Sequence, residues 1–431
     1  MCDIIDKLYV GGFGHREEDL HAFRMHHTVQ TWVRDQLKAH ERGSVVFKVL
    51  NTLAAVVEEK KSDTNDEPAL ERVETRLAPH ISTCLYFADY LEGFEFSWCV
   101  LGDVCKTQDR YEEAAQLYKL GLKDPYIKKK TTCLRRQQLH GQLASMYQLQ
   151  GRLNEAIKGY TGILEECVAL SEDTLCTSSR GQLYLNVYKA LASLYAQTGR
   201  VTQSAKVLSE GIDQLERLSG PNSTEVLELL DTWASEFMRQ GDYTQAEKLY
   251  LRILTAQIQI LGKDNLGTLY AQKNLANVVF KNGDSQEAEQ LTRQSIKTAE
   301  NLLGSKHPDT LTQLAFLGTI LDKELQFEEA QKILNEASTA LEVVLGPLHP
   351  STLSVKESLA MSYEAQVPGR YKEAEDIYRE VMLGREDLKD LKLKDTAERL
   401  SKLLGKMGRP VEAKELLAPW RAGAGSFGVL S

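Results

Sequence analysis

The chain is predicted to be all-α: an α-solenoid of about eight helical hairpins stacked into a right-handed superhelix, preceded by a small helical cap. Three observations carry this. An alanine recurs at Ala114, Ala156, Ala205, Ala246, Ala288, Ala330, Ala374 and Ala413, in steps of 42, 49, 41, 42, 42, 44 and 39 residues. A period in this range marks stacked units that contact their neighbours, not one globular core. Small residues at a second point, Gly102, Ala144, Ala192, Ala234, Ala276 and Gly318, allow two helix backbones to approach, while Tyr118, Tyr160 and Tyr250 are large knobs for the facing holes. Between these points stands a turn, Gly151-Arg152, Gly199-Arg200, Gly241-Asp242 or Gly283-Asp284, whose glycine supplies the left-handed conformation that ends a helix.

Taken in order, the first hundred residues differ from the rest. Phe23 to His27 reads as a short extended stretch. It leads into an amphipathic helix with Val29, Trp32, Val33 and Leu37 at helical spacing. A second helix runs from Ser44 to about Lys61, with Val46, Val49, Leu50, Leu53, Ala54 and Val57 on one face. The polar run Lys61 to Pro68 is the best linker in the chain, and a further helix spans Leu70 to Leu77 before Ala78-Pro79-His80. The expected organisation is therefore 1–42, then a helical cap over 43–93 with its linker near 61–68, then the repeat array over 94–420. A disordered tail closes the chain at 421–431, where AGAGSFGVLS is too glycine-rich to order.

Around the first alanine stand Trp98, Leu101, Gly102, Tyr111, Tyr118, Gly121 and Pro125; around the fourth stand Trp233, Ala234, Phe237, Gly241, Tyr243 and Tyr250. These residues resemble the tetratricopeptide repeat, over about Glu95 to Trp420. The usual unit is about 34 residues, and these are nearer 42. The excess is about two helical turns, so both helices are expected to be long. Kinesin light chains are similar in this respect and in the linker Leu303-Gly304-Ser305-Lys306-His307-Pro308-Asp309-Thr310-Leu311. It recurs as Leu345-Gly346-Pro347-Leu348-His349-Pro350-Ser351-Thr352-Leu353. The preceding repeat has Asn265 and Leu266 in the histidine and proline slots. The linker is expected to start a helix: proline sets φ in the first turn, and Asp309, Ser351 or the threonine accepts orphan backbone N–H bonds. His307 and His349 are too far apart, and too little accompanied, to bind one metal ion.

The string from Phe23 to Leu37, followed about forty residues on by Arg76-Leu77-Ala78-Pro79-His80-Ile81, resembles a junction in fungal STAND-class NTPases with tetratricopeptide arrays. Met25, His26, Val29, Gln30 and Trp32 carry the first match, Pro79 and His80 the second. The resemblance implies a winged-helix-like remnant over 1–42 and a lineage in which the repeats sense or autoinhibit. Such proteins need a nucleotide-binding domain upstream, and no Gly-x-x-x-x-Gly-Lys-Ser/Thr occurs here; Gly262-Lys263 and Gly405-Lys406 are turn glycines. The chain is expected to be a truncated relative or the C-terminal piece of a larger gene.

Composition fits an interaction protein. Net charge is −9 with a sequence pI near 5.6, which speaks against nonspecific nucleic-acid binding. The basic run Lys128-Lys129-Lys130, with Arg135 and Arg136, reads as a solvated helix start. Seven cysteines, odd in number and without a Cys-x-x-Cys pair, read as reduced, buried thiols. No apolar run is long enough for a membrane span, and Asp3 and Asp6 break any signal-peptide pattern, so a cytoplasmic location is expected, with the nucleus also open to it. His21, His26 and His27 do not converge at helical spacing, and no nucleophile elbow or zinc-helix motif occurs. The acid pairs Glu112-Glu113 and Glu328-Glu329 are placed in first turns, where they complement the helix dipole. No catalytic, metal or cofactor residue is assigned, and the chain is not expected to be an enzyme or to take up ATP.

What remains is surface. Counting from the small residue of each first helix, the polar positions expected to face a concave groove are Asn186, Lys189, Arg239, Lys273, Asn274, Asn277 and Lys281. Asparagines can pair with a peptide's amides, as similar ones do in kinesin light chains, and lysines can neutralise acidic side chains. The expected function is a scaffold or regulator that binds a protein or peptide segment, with an acidic or phosphorylated one favoured. The alternatives are the sensor part of a STAND-type switch whose NTPase is a separate domain, and an accessory protein that organises pathway enzymes.

Overall fold

The computed structural model describes residues 14–17, 22–25, 75, 81, 98–123, 133–169, 177–366, 369–390 and 392–421. The proposed linker at 61–68, the helices expected between Val29 and Leu77 apart from Thr75, the run Lys128 to Lys130 and the tail from 422 lie outside them. Near the N-terminus, β1 (Gly14–Glu17) and β2 (Ala22–Met25) form an antiparallel pair with Gly14 opposite Met25 and Glu17 opposite Ala22. The extended stretch was legible from Phe23; its partner β1, Gly-His-Arg-Glu, has no apolar alternation and was not.

The repeats follow as α1 (Trp98–Thr107), α2 (Tyr111–Lys123), α3 (Cys133–Leu149), α4 (Leu153–Ala169), α5 (Thr177–Gln197), α6 (Val201–Ser219), α7 (Thr224–Gln240) and α8 (Tyr243–Leu261). They continue as α9 (Leu266–Asn282), α10 (Ser285–Leu303), α11 (Pro308–Lys323), α12 (Phe327–Leu345), α13 (Pro350–Ala365), α14 (Tyr371–Asp387), α15 (Leu393–Lys406), α16 (Pro410–Leu416) and α17 (Ala418–Arg421). The helices pair as eight hairpins in tandem, an α-solenoid arrangement. The chain forms two compact units, Met1–Leu229 and Leu230–Ser431. The first holds the β-hairpin and α1–α6, the second α8–α17, and α7 runs across the boundary.

In the first unit, α1 and α2 pack around Trp98, Leu101, Val104, Leu117 and Tyr118, with Leu139 and Met146 of α3 closing the cluster. Gly102 lies flat under the ring of Tyr118, so a Cβ there would strike the ring. The Tyr118 hydroxyl donates to Asp103 Oδ1 at 2.8 Å. The Cys105 thiol is buried in the same cluster, and desolvation pushes it up to about 12, which leaves it inert as a nucleophile.

One expected anchor is displaced. Ala205 is only half-buried, and the buried position in α6 is Ser204, whose Oγ donates to the Ala192 carbonyl at 3.1 Å. The buried set of α6, Ser204, Leu208, Gly211, Ile212 and Leu215, keeps the spacing of Ala246, Tyr250, Ile253 and Leu254 in α8. A small hydroxyl thus serves where the other hairpins use a methyl, and it satisfies its own polar atom locally. With Ser204 in place, the fourth residue after each anchor is Tyr118, Tyr160, Leu208, Tyr250, Thr292, Leu334, Tyr378 and Leu417.

The hairpins of α7–α8 and α9–α10 have helices of 17 and 19 residues, the lengthening that a 42-residue unit implied. Gly241 and Gly283 take φ of +82° and +104° in the turns, and the equivalent Leu325 is held at +65°. The linker histidines do more than was expected of them. His307 Nδ1 accepts from Asp309 N at 3.2 Å, and His349 Nδ1 from Ser351 N at 3.1 Å, so each imidazole is itself the N-cap. Asp309, Ser351 and the threonine do not fill that role. Instead Thr310 and Thr352 donate back to the carbonyls of Gly304 and Gly346, at 2.9 Å and 3.0 Å, and lock the linker to the helix it leaves. The acid pairs do sit in the first turns of α2 and α12.

Between first helices of successive repeats, Ser362 of α13 donates to Asp322 Oδ1 of α11 at 2.6 Å. Burial pushes the Asp322 carboxyl from 3.8 up to about 6, outweighing the downward pull of the serine. An acid raised in the folded state stabilises the fold below its unfolded value and loses that contribution as pH rises through about 6. Asp322→Asn is therefore expected to flatten the stability profile between about pH 4 and 7, and to add about 1 kcal/mol at neutral pH. That figure discounts the shift for partial exposure. Thermal melts across this range check it, and an unchanged profile would contradict the burial argument.

Candidate functional site

Helix α9 starts where Asn265 Oδ1 accepts from Gly267 N at 2.8 Å and ends at Gly283. Its inner face buries Leu269, Leu275, Ala276, Val278 and Val279. Helical geometry then puts Lys273, Asn277 and Lys281, at four-residue spacing, on one open stripe. This is the one place in the second unit where the structure brings several of the expected groove residues together.

The expected residues divide by their partners. Lys189 of α5 reaches Glu228 Oε2 at 3.4 Å, and Asn186 on the same helix accepts from Gln182 Nε2 at 3.2 Å. Arg239 is clasped by Glu236 on its own helix, 2.6 Å away, and Asn274 donates to Asp231 Oδ1 of α7 at 3.4 Å. These four are occupied within the protein. Lys273, Asn277 and Lys281 have no hydrogen-bond or ion-pair partner among the described residues. Lys281 lies in the last turn of α9, where the helix dipole already favours a cation. Lys273 lies mid-helix, and the fold supplies no comparable reason for it.

Beneath this stripe is a pocket of about 160 Å³ lined by Lys273, Asn274, Ala276 and Asn277 of α9, Thr292 and Ser295 of α10, and Thr312, Gln313 and Phe316 of α11. Its floor is Thr292, Ser295 and Gln313, all buried; its rim is the half-buried Lys273, Asn274, Asn277, Thr312 and Phe316. The cavity has a sequence cause. The small residue of each first helix receives the knob of the second: Leu334 packs on Gly318, where a Cβ would come within 2.7 Å of the leucine Cγ. In the hairpin of α9 and α10 the small residue is Ala276, and the knob position holds Thr292 in place of tyrosine or leucine. Three successive inward positions, Ala288, Thr292 and Ser295, are small, and the space stays unfilled.

Of the pocket's lining, Lys273, Asn274 and Asn277 are among the expected groove residues, and Thr292, Ser295, Thr312, Gln313 and Phe316 are not. The signal was available: aligned on the anchors, only the fifth repeat lacks a large apolar or aromatic residue at the knob position. The misplaced Ala205 obscured that column, because it put Ser209 where Leu208 belongs.

The pocket's lining holds one full charge, Lys273, among hydroxyls, amides and one ring. Ser295 Oγ donates to Gln313 Oε1, and Thr292 Oγ1 donates to the Ala288 carbonyl at 2.7 Å. Among the described residues no cluster of three or more His, Cys, Asp or Glu side chains could hold a metal ion, and no helix is long and apolar enough to cross a membrane.

The tetratricopeptide-repeat family profile matches residues 230–301, 271–342 and 315–387, which include the pocket. No curated protein matches the chain. Solved structures that resemble it include the nearly identical TPR-like repeats of a kinesin light chain protein from Podosopora anserina, at 24% identity. That match covers 48% of this chain and 96% of the other, with a TM-score of 0.42. The apo quorum sensor NprR from B. thuringiensis is 16% identical over 83% of this chain and 91% of its own, TM-score 0.47. The STAND protein with a tetratricopeptide repeat sensor from Pyrococcus horikoshii is 13% identical over 97% of this chain and 58% of its own, TM-score 0.46.

Proposed function

We propose that the chain is a non-enzymatic interaction module that binds a protein or peptide segment, acidic in character, across the open stripe of α9. Tetratricopeptide repeats present extended surfaces of stacked helices to their partners. The observation that carries the location is the unpartnered trio Lys273, Asn277 and Lys281 above a polar pocket, where the other expected groove residues are paired within the protein. An ammonium left mid-helix without a counter-ion gains from a partner carboxylate, and an unpaired amide can bond to the peptide backbone beside it.

Charge reversal tests this. A synthetic array of short peptides graded in Asp and Glu content is expected to be retained in proportion to its acidity. The double variant Lys273→Glu/Lys281→Glu is expected to lose about tenfold in affinity, more at about 50 mM salt than at about 300 mM, because the attraction is screened. Retention that ignores both substitutions would refute the placement on α9. Both side chains are half-buried or exposed and unpaired, so the fold itself is not at stake.

A further inference from the structure

The tyrosine knobs of three other hairpins follow a rule that the α9–α10 hairpin breaks. Tyr118 sits on Gly102, and its hydroxyl reaches Asp103, the next residue. Tyr250 sits in the hairpin of Ala234, and its hydroxyl lies 3.2 Å from Ser235, again the next residue. Tyr160 hydrogen-bonds to Ser145, which follows Ala144. In these three hairpins the residue after the small one is a polar receiver for a phenol; the fourth tyrosine knob, Tyr378, instead donates to Glu364 Oε2 at 3.3 Å. In α9 the small residue is Ala276 and the receiver position is Asn277, but the knob is Thr292 and Asn277 has no partner among the described residues. The socket is built, and among the described residues nothing fills it.

We propose that this socket takes the side chain of a tyrosine from the bound partner, a phenol standing where the repeat's own knob is missing. The size fits. The pocket is about 160 Å³, and a cavity of ~150 Å³ is enough to hold benzene. The wall fits: Phe316 lines the pocket and meets Phe280 edge to face at 5.6 Å, leaving an aromatic side for an incoming ring. The floor selects the tip. The hydroxyl protons of Thr292 and Ser295 are spent on the Ala288 carbonyl and Gln313 Oε1. Their remaining lone pairs are acceptors, which suit a phenol O–H, while the Gln313 amide N–H can donate to the phenol oxygen. The cations Lys273 and Lys281 stand at the mouth and along the stripe, outside the floor, so acidic residues belong beside the tyrosine in the partner and not in the socket. This inference rests on the reading that a peptide lies along α9, and adds which side chain anchors it.

The probe is p-cresol, the tyrosine side chain alone, with toluene as the comparator, added to the full chain carrying methyl-labelled threonine and alanine. Saturable shifts are expected at the methyls of Thr292, Thr312 and Ala276, with p-cresol binding more tightly than toluene by at least several-fold. Thr292→Tyr should restore the repeat's own knob. It is expected to abolish the shifts at Thr312 and Ala276 while the melting temperature holds or rises, since Tyr250 and Tyr378 occupy the same place in folded hairpins. Thr292→Leu, after Leu208 and Leu334, gives a second filled socket if the tyrosine variant fails to fold. Absent saturation, equal binding of toluene, or shifts that persist in both filled variants would each overturn the proposal. The two readings fail separately: silence from p-cresol with the acidic array still retained sinks the socket alone, whereas p-cresol binding with no charge-dependent retention sinks the acidic stripe and keeps the socket.

Discussion

Arg385→Ala is expected to destabilise the last repeats by about 3 kcal/mol, because it removes a buried guanidinium and leaves Glu357 and Asp390, 14% and 21% exposed, without their main counter-ion. Arg385 is 1% exposed and occupies the core position that Leu341 fills one repeat earlier. Its Nη2 donates to Glu357 Oε2 of α13 at 3.0 Å, Nη1 donates to the Lys392 carbonyl at 3.4 Å and to Thr396 of α15, and Nε lies 3.5 Å from Asp390 Oδ2. One guanidinium thus ties three helices. Without it Glu357 keeps the Thr396 hydroxyl, 3.0 Å away, and Arg399, 3.6 Å away and 42% exposed. Arg385→Lys should recover part of the loss, since an ammonium keeps the charge but cannot hold the fork. Denaturant titration followed on the C-terminal repeats measures both; a loss below about 1 kcal/mol for alanine would mean that water reaches the carboxylates. Because repeats contact mainly their neighbours, the effect should fade toward α9.

Ala246→Leu is the second large effect, expected to cost about 1–3 kcal/mol or more through overpacking. Ala246 is fully buried in the first turn of α8, as Ala288 and Ala330 are in theirs, so the added methylenes meet packed atoms on every repeat-equivalent surface. His307→Ala removes one N-cap acceptor on a half-exposed side chain and should cost about 0.5–1 kcal/mol. The contrast is the test: urea midpoints that place the histidine change above Ala246→Leu would overturn the repeat register.

Much of this architecture was readable because a solenoid writes the same local constraint many times. Ala246, Ala288 and Ala330 must be small for one reason, and Gly241 and Gly283 must be left-handed for another, so the pattern survives the loss of any one copy. Where a single copy deviates, reading from the sequence faltered. Ser204 was passed over because an adjacent alanine offered a better match, although a serine with a carbonyl 3.1 Å away is as small and as satisfied. The histidine caps were assigned to the wrong side chains because both Asp309 and His307 can accept a backbone N–H, and only geometry separates them. The candidate site was half legible. Polarity and helical spacing picked out Lys273, Asn277 and Lys281, but whether a lysine is paired depends on the repeat beside it, as Glu228 does for Lys189 and Asp231 for Asn274. The pocket came from a missing residue, Thr292 for tyrosine, which becomes visible only when the repeats are aligned in their true register.

If partners bind on α9, hydrogen exchange on the full chain reports it. The acidic peptide best retained on the array, added at saturation, is expected to slow exchange over 266–282 and the facing turns of 308–323, and to leave the hairpins of α1–α4 unchanged. Protection confined to residues outside 266–323, at a peptide concentration that saturates binding, would contradict it.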